Sequence, residues 1–248
     1  MQKLYQKSPL AFALVCIGVY VFGMSAADEF SRVLGIEKCA SAVFALLCSA
    51  LLFVFVKRSG TERHFGLCKS AVGAKRLGFY LPLALLTSVN FWYGVQWNTG
   101  LLETVLYVVT MLCVGFLEEM IFRGFLFRAM ERDSRRAAVI VSSVTFGIGH
   151  VVNLINGSGA SVLETLCQIV YATAAGFLFV ALFVRTGSLL PCIASHGLLN
   201  ATSAFSAAEQ QSETVRIVVS LVLALGSAAY ALYVWRALPA RQTENHTP

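Results

Sequence analysis

Long apolar blocks dominate this chain and limit what it can fold into. Of its 248 residues, 57% are hydrophobic and only 13% are charged. The apolar residues form uninterrupted runs rather than the amphipathic period of a helix in a soluble protein. Because a run of about 17 to 25 apolar residues can cross a bilayer as a helix, the chain is predicted to be a polytopic membrane protein.

These runs predict an all-α fold, a bundle of about eight transmembrane helices. The predicted spans are Leu10–Ala27, Cys39–Val56, Leu77–Val95, Leu101–Arg123 and beyond, Ala137–Leu154, Ser161–Val184, Ser188–Phe205 and Val215–Trp235. No polar stretch between them is long enough to fold alone, so residues 1–248 are expected to form a single integral membrane domain. The first run also has some features of a signal peptide, but it is longer than a usual signal core, and an uncleaved span is preferred.

Basic residues are predicted to lie on one side of the bundle. They cluster before the first span and after the second, fourth, sixth and eighth, whereas the opposite loops are richer in Asp and Glu. Since cytoplasmic loops carry the excess of Lys and Arg, both termini are expected to be cytoplasmic. This bias and attraction to anionic lipid account for the net charge of +6, so no nucleic-acid partner is expected. The clusters are Lys3 and Lys7; Lys57, Arg58, Arg63, Lys69, Lys75 and Arg76; Arg128, Arg132, Arg135 and Arg136; Arg185; Arg236 and Arg241.

Five groups capable of acid–base or ionic chemistry lie deep inside the predicted spans: Glu118, Glu119, Arg123, His150 and His196. A charged group at the centre of a bilayer costs a few kcal/mol or more on insertion scales. Two adjacent glutamates in an apolar run are therefore expected to have a function. A single histidine in a helix bundle is more often a hydrogen-bonding residue than a catalytic one, but these two share the membrane interior with the glutamates.

The spacing inside the fourth span separates the two glutamates. Glu119 and Arg123 are four residues apart, on one helix face, where they can form an ion pair. Glu118 points about 100° away and is not neutralised by the same contact. One glutamate can therefore be held while the other reacts.

Two further pairs share a helix face. His196 and Asn200 are four residues apart on the seventh span, and Phe146 precedes His150 by one turn on the fifth. Counting about 1.5 Å per residue from the predicted cytoplasmic helix ends puts these groups and the glutamates at similar depths. They are expected to meet in an intramembrane catalytic cavity.

Three motifs in these spans resemble those of the CAAX protease and bacteriocin-processing family, known as CPBP or Abi, a family of intramembrane glutamic endopeptidases. Residues 118–123 fit EExxxR, residues 146–150 fit FxxxH, and residues 196–200 fit HxxxN. Each motif alone is weak, but the three occur in order on separate spans. The resemblance covers a motif-bearing core at residues 101–205.

The resemblance implies roles for the motif residues. Glu118 would be the general base that takes a proton from water, and His150 would hold and polarise that water. His196 and Asn200 would donate hydrogen bonds to the oxyanion that forms at the scissile carbonyl. Glu119 and Arg123 would be supporting residues, an ion pair that fixes the local geometry. Phe146 would contribute packing.

Three alternatives stay open. A zinc site built from His150, His196 and a glutamate is possible in principle, but HExxH is absent and the ligands would come from three helices. The seven cysteines are scattered without a CxxC pair, so they do not suggest a metal or disulfide framework and no cofactor is expected.

A proton-coupled transporter also keeps carboxylates and histidines in mid-membrane, but no internal repeat is found. A non-catalytic scaffold or immunity protein of the same fold would act by binding.

The favoured function is therefore an intramembrane endopeptidase acting on a membrane-associated protein or peptide. The expected partners are that substrate and the lipid bilayer. The compact chain favours a bacterial inner membrane, which makes a prenylated substrate less expected. Nothing in the sequence decides the substrate or the oligomeric state.

Overall fold

The computed structural model describes residues 1–73, 77–156 and 159–237. Within these ranges the fold is helical, and an isolated antiparallel bridge joins Val95 and Ser206. The helices are α1 (Gln2–Lys7), α2 (Pro9–Leu34), α3 (Cys39–Arg58), α4 (Leu77–Thr87), α5 (Leu101–Glu118), a π-helical segment (Glu119–Phe127), α6 (Arg128–Glu131), α7 (Arg135–Gly149), α8 (Val152–Ile155), α9 (Val162–Thr186), α10 (Leu190–Thr202) and α11 (Glu213–Ala237). Short 3-10 helices cover Val89–Tyr93, Ser203–Phe205 and Ala208–Gln210.

Six helical stretches of the described chain are long and apolar enough to cross a membrane, and the all-α membrane fold is thus confirmed. The stretches are Pro9–Leu34, Cys39–Arg58, Leu101–Glu131, Arg135–Ile155, Val162–Thr186 and Glu213–Ala237. The predicted count of about eight is not confirmed, because the third and seventh predicted spans contain shorter helices. At about 1.5 Å per residue, α4 and α10 reach only about 16 and 20 Å, against a hydrocarbon core of about 30 Å.

The two shorter helices are interrupted by features that a hydropathy window does not detect. In the third predicted span, α4 carries Pro82 inside it and is followed by a 3-10 turn that ends at Gly94 with φ 95°. In the seventh, α10 passes into a 3-10 turn after Thr202. Lys75, Arg76 and Arg241, which contribute to the predicted basic side, lie outside the described residues.

Local capping residues set several helix ends. The Ser8 side chain accepts from the Ala11 backbone N–H ahead of Pro9, which suits the first turn of a helix because it lacks an N–H. Ser161 and Glu164 form a capping box at the start of α9. Gly187 ends the same helix in the left-handed conformation, with φ 71°. The chain can therefore turn sharply from α9 into α10.

A polar loop fixes the beginning of α10. The segment between α3 and α4 lies against the α9–α10 turn, where the Leu189 N–H donates to the Gly66 carbonyl at 2.8 Å. The Ser188 hydroxyl donates to the Cys68 carbonyl at 2.6 Å, and the Ala71 N–H donates to the Thr186 carbonyl at 2.9 Å. These bonds hold α10 at a defined height, and α10 carries two of the motif residues.

Two glycines allow α5 and α10 to touch through their backbones. A Cβ atom on Gly115 would lie 2.5 Å from the Gly197 nitrogen and 2.6 Å from its Cα. Small residues at such crossings let membrane helices approach closely enough for dispersion contacts between backbones. Gly115 precedes the two glutamates by about one turn and Gly197 follows His196, so the contact brings both motifs together.

A second close contact joins α7 to α9. A Cβ atom on Gly147 would lie 2.9 Å from the Ile169 carbonyl oxygen, and one on Gly176 would lie 2.9 Å from the Ser143 Cα. The end of α7, which carries the FxxxH motif, is therefore held tightly against α9.

Replacing Gly115 by Ala should lower the free energy of unfolding by about 1–3 kcal/mol, because the new methyl group would overlap the α10 backbone. Gly18→Ala is the matched control, since Gly18 also lies inside a helix but a methyl group there would meet no neighbouring atom within 4 Å. That control should be neutral or stabilising by about 0.5–1 kcal/mol. Thermal unfolding in detergent measures both, and equal effects would contradict the backbone contact.

Candidate active site

The two glutamates stand where one long helix changes its winding. Glu118 is the last residue of α5, and Glu119 is the first residue of the π-helical segment. Every residue of that segment is buried. The Ser142 hydroxyl, from α7, donates to the Phe122 carbonyl at 2.8 Å inside it. π-Helical turns are rare and frequently occur at functional sites, because they change the direction of side chains within a continuous helix.

The predicted ion pair between Glu119 and Arg123 is present in the structure. Arg123 Nη1 lies 3.0 Å from Glu119 Oε1, and both side chains are fully buried. Glu119 Oε2 and two Arg123 nitrogens, Nε and Nη2, have no hydrogen-bond partner among the described residues. A pair with this much unmet polarity is weak evidence for stability, because desolvation offsets much of its attraction. The position of this pair inside the site is better explained by the contact between Glu119 and His196, which the pair holds in place.

Aromatic rings surround the guanidinium. The Arg123 Cζ atom lies 4.1 Å from the ring centroid of Phe146 and 5.5 Å from that of Phe179. A ring face attracts a cation more strongly in a desolvated setting, which compensates part of the missing hydrogen bonding. Phe146 is also packed edge-on against His150 and His196, with centroids 5.3 and 5.5 Å away. These contacts are consistent with the predicted packing role of Phe146.

His196 lies between the two glutamates. Its Nδ1 atom lies 2.9 Å from Glu119 Oε1, and its Nε2 atom lies 3.3 Å from Glu118 Oε2. The ring is nearly buried, with 7% of the side chain exposed, and Glu118 is exposed to 15%. Sequence spacing predicts neither contact, since α5 and α10 are far apart along the chain. Glu119 therefore touches His196 as well as Arg123.

The protonation of the His196 ring follows from its neighbours. Glu119, paired with Arg123, is a carboxylate and can only accept, so Nδ1 carries a proton and donates it. On the other side of the ring, Nε2 lies 3.3 Å from Glu118 Oε2, and a proton placed there can be held by either atom. With that proton on Nε2, Glu118 is a carboxylate and His196 is an imidazolium. With it on Oε2, both groups are neutral.

Tyr20 is a site residue that the sequence did not reveal. Its hydroxyl, on α2, donates to Glu118 Oε1 at 2.7 Å. Phe179, on α9, is a second such residue, with its ring centroid 5.9 Å from that of His196. Neither belongs to a motif. The sequence shows only that a tyrosine lies within the first apolar span. It does not indicate that this tyrosine contacts Glu118, which is 98 residues away.

His150 follows the last residue of α7 and belongs to the same cluster. Its Nδ1 lies 3.1 Å from the Phe146 carbonyl oxygen, which can only accept, so Nδ1 carries the proton. Nε2 is then left as an acceptor. His150 interacts electrostatically with both Glu118 and His196. The structure thus brings the FxxxH motif to the glutamates, as the shared depth predicts.

Asn200 lies one turn beyond His196 on α10 and is half-buried. Its carbonyl oxygen accepts from the Ser203 hydroxyl at 2.6 Å. Its side-chain amide makes no hydrogen bond within the described part of the chain, so two N–H donors are free at this position. Within the described residues, no hydrogen bond joins the Asn200 side chain to either glutamate.

An apolar cavity of about 340 Å³ adjoins the site on the α2 side. Its wall includes Leu117 and Ile121, which flank the glutamates in sequence, and Tyr20, which contacts Glu118. None of the four residues expected to be catalytic lines this cavity. The cavity therefore borders the residues expected to be catalytic and does not contain them.

Among residues 1–73, 77–156 and 159–237, no group of three or more His, Cys, Asp or Glu side chains has the arrangement to hold a metal ion. Both ring nitrogens of His196 face carboxylate oxygens, and His150 Nδ1 faces a carbonyl.

Comparison with protein families supports the motif assignment. Residues 100–202 match the family described as type II CAAX prenyl endopeptidase Rce1-like, about two fifths of the 248-residue chain. The match includes all three motifs, and the predicted family resemblance is thereby confirmed. A comparison with curated proteins gives no match.

Removing Arg123 should destabilise the protein strongly, because Glu119 would be left buried without its cationic partner. We expect Arg123→Gln to lower the free energy of unfolding by about 3–5 kcal/mol. The double substitution with Glu119→Gln should recover part of that loss, since no charge would then be uncompensated. Thermal unfolding in detergent measures these changes.

Arg32→Gln is the matched control, because Arg32 pairs with Glu29 at 2.5 Å while their side chains are 55% and 63% exposed. Loss of this exposed pair should cost less than about 1 kcal/mol. If Arg123→Gln proved as mild as Arg32→Gln, the buried pair would not be what stabilises the Glu119 carboxylate.

Proposed function

We propose that this chain, whose residues 100–202 match the Rce1-like CAAX protease family, is an intramembrane endopeptidase that hydrolyses peptide bonds with water activated by Glu118. The family is a protease family, which supports hydrolase chemistry. The observation that carries the proposal further is the position of His196 between two carboxylates. The glutamate mechanism, the catalytic residues and the substrate are all part of the proposal.

A proton on His196 Nε2 would give both His196 and Glu118 the protonation states that the reaction needs. A general base must be a carboxylate, and an oxyanion donor must carry a proton. When the shared proton resides on His196 Nε2, Glu118 is a carboxylate and Nε2–H is a donor at the same time. Glu119 stabilises the resulting imidazolium, and Arg123 keeps Glu119 ionised.

The hydrolysis would then proceed in two steps. Glu118 takes a proton from a water molecule while the water oxygen bonds to the scissile carbonyl carbon, and the carbonyl electrons move to its oxygen. His196 Nε2–H and the free amide of Asn200 donate to that oxyanion. The oxyanion then collapses, the carbon–nitrogen bond breaks, and the proton held by Glu118 passes to the leaving nitrogen. Atoms and charge balance, and Glu118 returns to its starting state.

His150 would hold the attacking water. Its Nδ1–H is engaged by the Phe146 carbonyl, so Nε2 can accept a hydrogen bond from water near Glu118. Fixed donors and acceptors in a water-poor site contribute several kcal/mol to transition-state stabilisation because they need no reorganisation. The proposed role of His150 therefore keeps its bond to the Phe146 carbonyl unchanged.

The proposed substrate is a membrane-associated peptide or protein, since the site lies among membrane-spanning helices. A bacterial inner membrane with both termini cytoplasmic is the proposed setting. Ion pairs support this orientation, because the basic residues on the side opposite the basic clusters form ion pairs with acidic residues. Lys38 lies 2.8 Å from Asp28, and Arg216 pairs with Glu164.

Replacing Glu118 by Gln should abolish proteolysis, because an amide cannot accept the proton from water. The test compares protein termini, by mass spectrometry, in host membranes carrying wild-type or Glu118→Gln protein at matched expression. New termini that depend on Glu118 would identify both the activity and its substrates. A farnesylated peptide with a CaaX ending, added to purified protein in liposomes, tests the substrate class named by the family.

Glu103→Gln is the control, since Glu103 lies in the first turn of the same helix and contacts the Glu37 N–H at 3.5 Å. It should leave the termini unchanged. If wild-type and Glu118→Gln protein gave the same termini and rescued a deletion equally, a binding role as scaffold or immunity protein would replace the protease proposal.

Chelation should not affect the reaction. No metal is part of the proposed mechanism, so treatment with EDTA or 1,10-phenanthroline should leave the rate of peptide cleavage within about twofold. Loss of activity that zinc restores would contradict the glutamate mechanism and favour a metalloprotease.

A further inference from the structure

Tyr20 contacts the proposed base from a part of the chain that the family match does not reach. It lies on α2, whereas the match begins at residue 100. Its hydroxyl donates to Glu118 Oε1 at 2.7 Å, the length of a short hydrogen bond to an ionised acceptor. No other described side chain donates to this oxygen.

The contact divides the two carboxylate oxygens between two neighbours. Oε1 faces Tyr20, and Oε2 faces His196 Nε2 at 3.3 Å. With one oxygen held on each side, the carboxylate cannot rotate without losing a contact. Oε2 is thus the oxygen that exchanges a proton.

Tyr20 also forms part of the wall of the apolar cavity. The cavity of about 340 Å³ is bounded on this side by Val19 and Tyr20 of α2 and by Leu117 and Ile121 of the long helix. Because the Tyr20 ring faces the cavity and its hydroxyl faces Glu118, this residue stands between apolar space and the carboxylate.

We propose that Tyr20 is a positioning residue for Glu118, which holds Oε1 and leaves Oε2 as the proton-accepting oxygen of the carboxylate. The proposal rests on the proposed function, in which Glu118 is the base. It differs from a structural role, in which the hydroxyl would merely satisfy a buried polar group. The two roles predict different effects on the reactivity of Glu118.

Tyr20→Phe removes the hydroxyl and keeps the ring, so the fold and the cavity wall should be preserved. Tyr230→Phe is the matched control, because the Tyr230 hydroxyl donates to the Phe79 carbonyl at 2.5 Å inside the bundle. Each substitution deletes one hydrogen bond from a tyrosine in a membrane helix. Thermal unfolding of both variants should show losses of similar size.

The first measurement does not require a substrate. Dicyclohexylcarbodiimide reacts with protonated carboxyl groups in apolar surroundings, and mass spectrometry of the purified full-length protein locates the adduct. At pH 7 the labelling of Glu118 should rise severalfold in Tyr20→Phe, because Oε1 loses its hydrogen-bond partner and becomes free to react. Tyr230→Phe should be labelled like the wild type. Equal labelling of Glu118 in all three proteins would overturn the proposal.

The second measurement is the rate of peptide cleavage. For a peptide that the wild type cleaves, kcat should fall about tenfold in Tyr20→Phe while KM changes less than twofold, since the hydroxyl does not touch substrate. An unchanged kcat would overturn the positioning role even if the protein is a protease. If the wild type cleaves nothing but labelling still rises in Tyr20→Phe, the contact stands and the proposed function fails.

Discussion

A buried carboxylate in the membrane interior needs a counter-charge, and this requirement organises the site. Glu119 is fully buried and is paired with Arg123, which is equally buried. The ionised Glu119 then fixes the proton on His196 Nδ1, and His196 in turn faces Glu118. The contacts run from Arg123, which stays protonated, through Glu119 and His196 to Glu118. Each group limits the state of the next.

The fold brings these groups together with small residues and a local change of helix winding. Gly115 and Gly197 let α5 and α10 meet through their backbones, and the hydrogen bonds between the α3–α4 loop and the α9–α10 turn set the height of α10. The π-helical segment begins at Glu119, so the two adjacent glutamates belong to turns of different geometry. Packing therefore brings His196 within reach of both carboxylates.

Sequence patterns predicted the membrane fold and the motif residues well because both depend on local order. Apolar runs are visible in any window, and six of the predicted spans correspond to helices long enough to cross. The Glu119–Arg123 pair follows from their spacing on one helix. The two shortened helices were missed, since Pro82 and the 3-10 turns break a helix without changing its hydropathy.

Contacts between distant helices could not be predicted in this way. The position of His196 between both glutamates and the bond from Tyr20 to Glu118 depend on helix rotation and crossing, which no spacing rule supplies. The π-helical segment was equally invisible, because no residue spacing within it distinguishes a π-turn from an α-helical turn. The sequence singled out the motif residues but not the contacts between them.

The glycine contact also limits the routes by which a peptide can reach Glu118. Where Gly115 meets Gly197, the two helix backbones leave no room for another chain between them, so the seam between α5 and α10 is closed there. On the opposite flank, α2 presents a single tyrosine between the carboxylate and an apolar cavity. In the proposed protease, a substrate arriving from the bilayer could approach Glu118 past Tyr20 on the α2 side, whereas the contact between Gly115 and Gly197 would block its passage between α5 and α10.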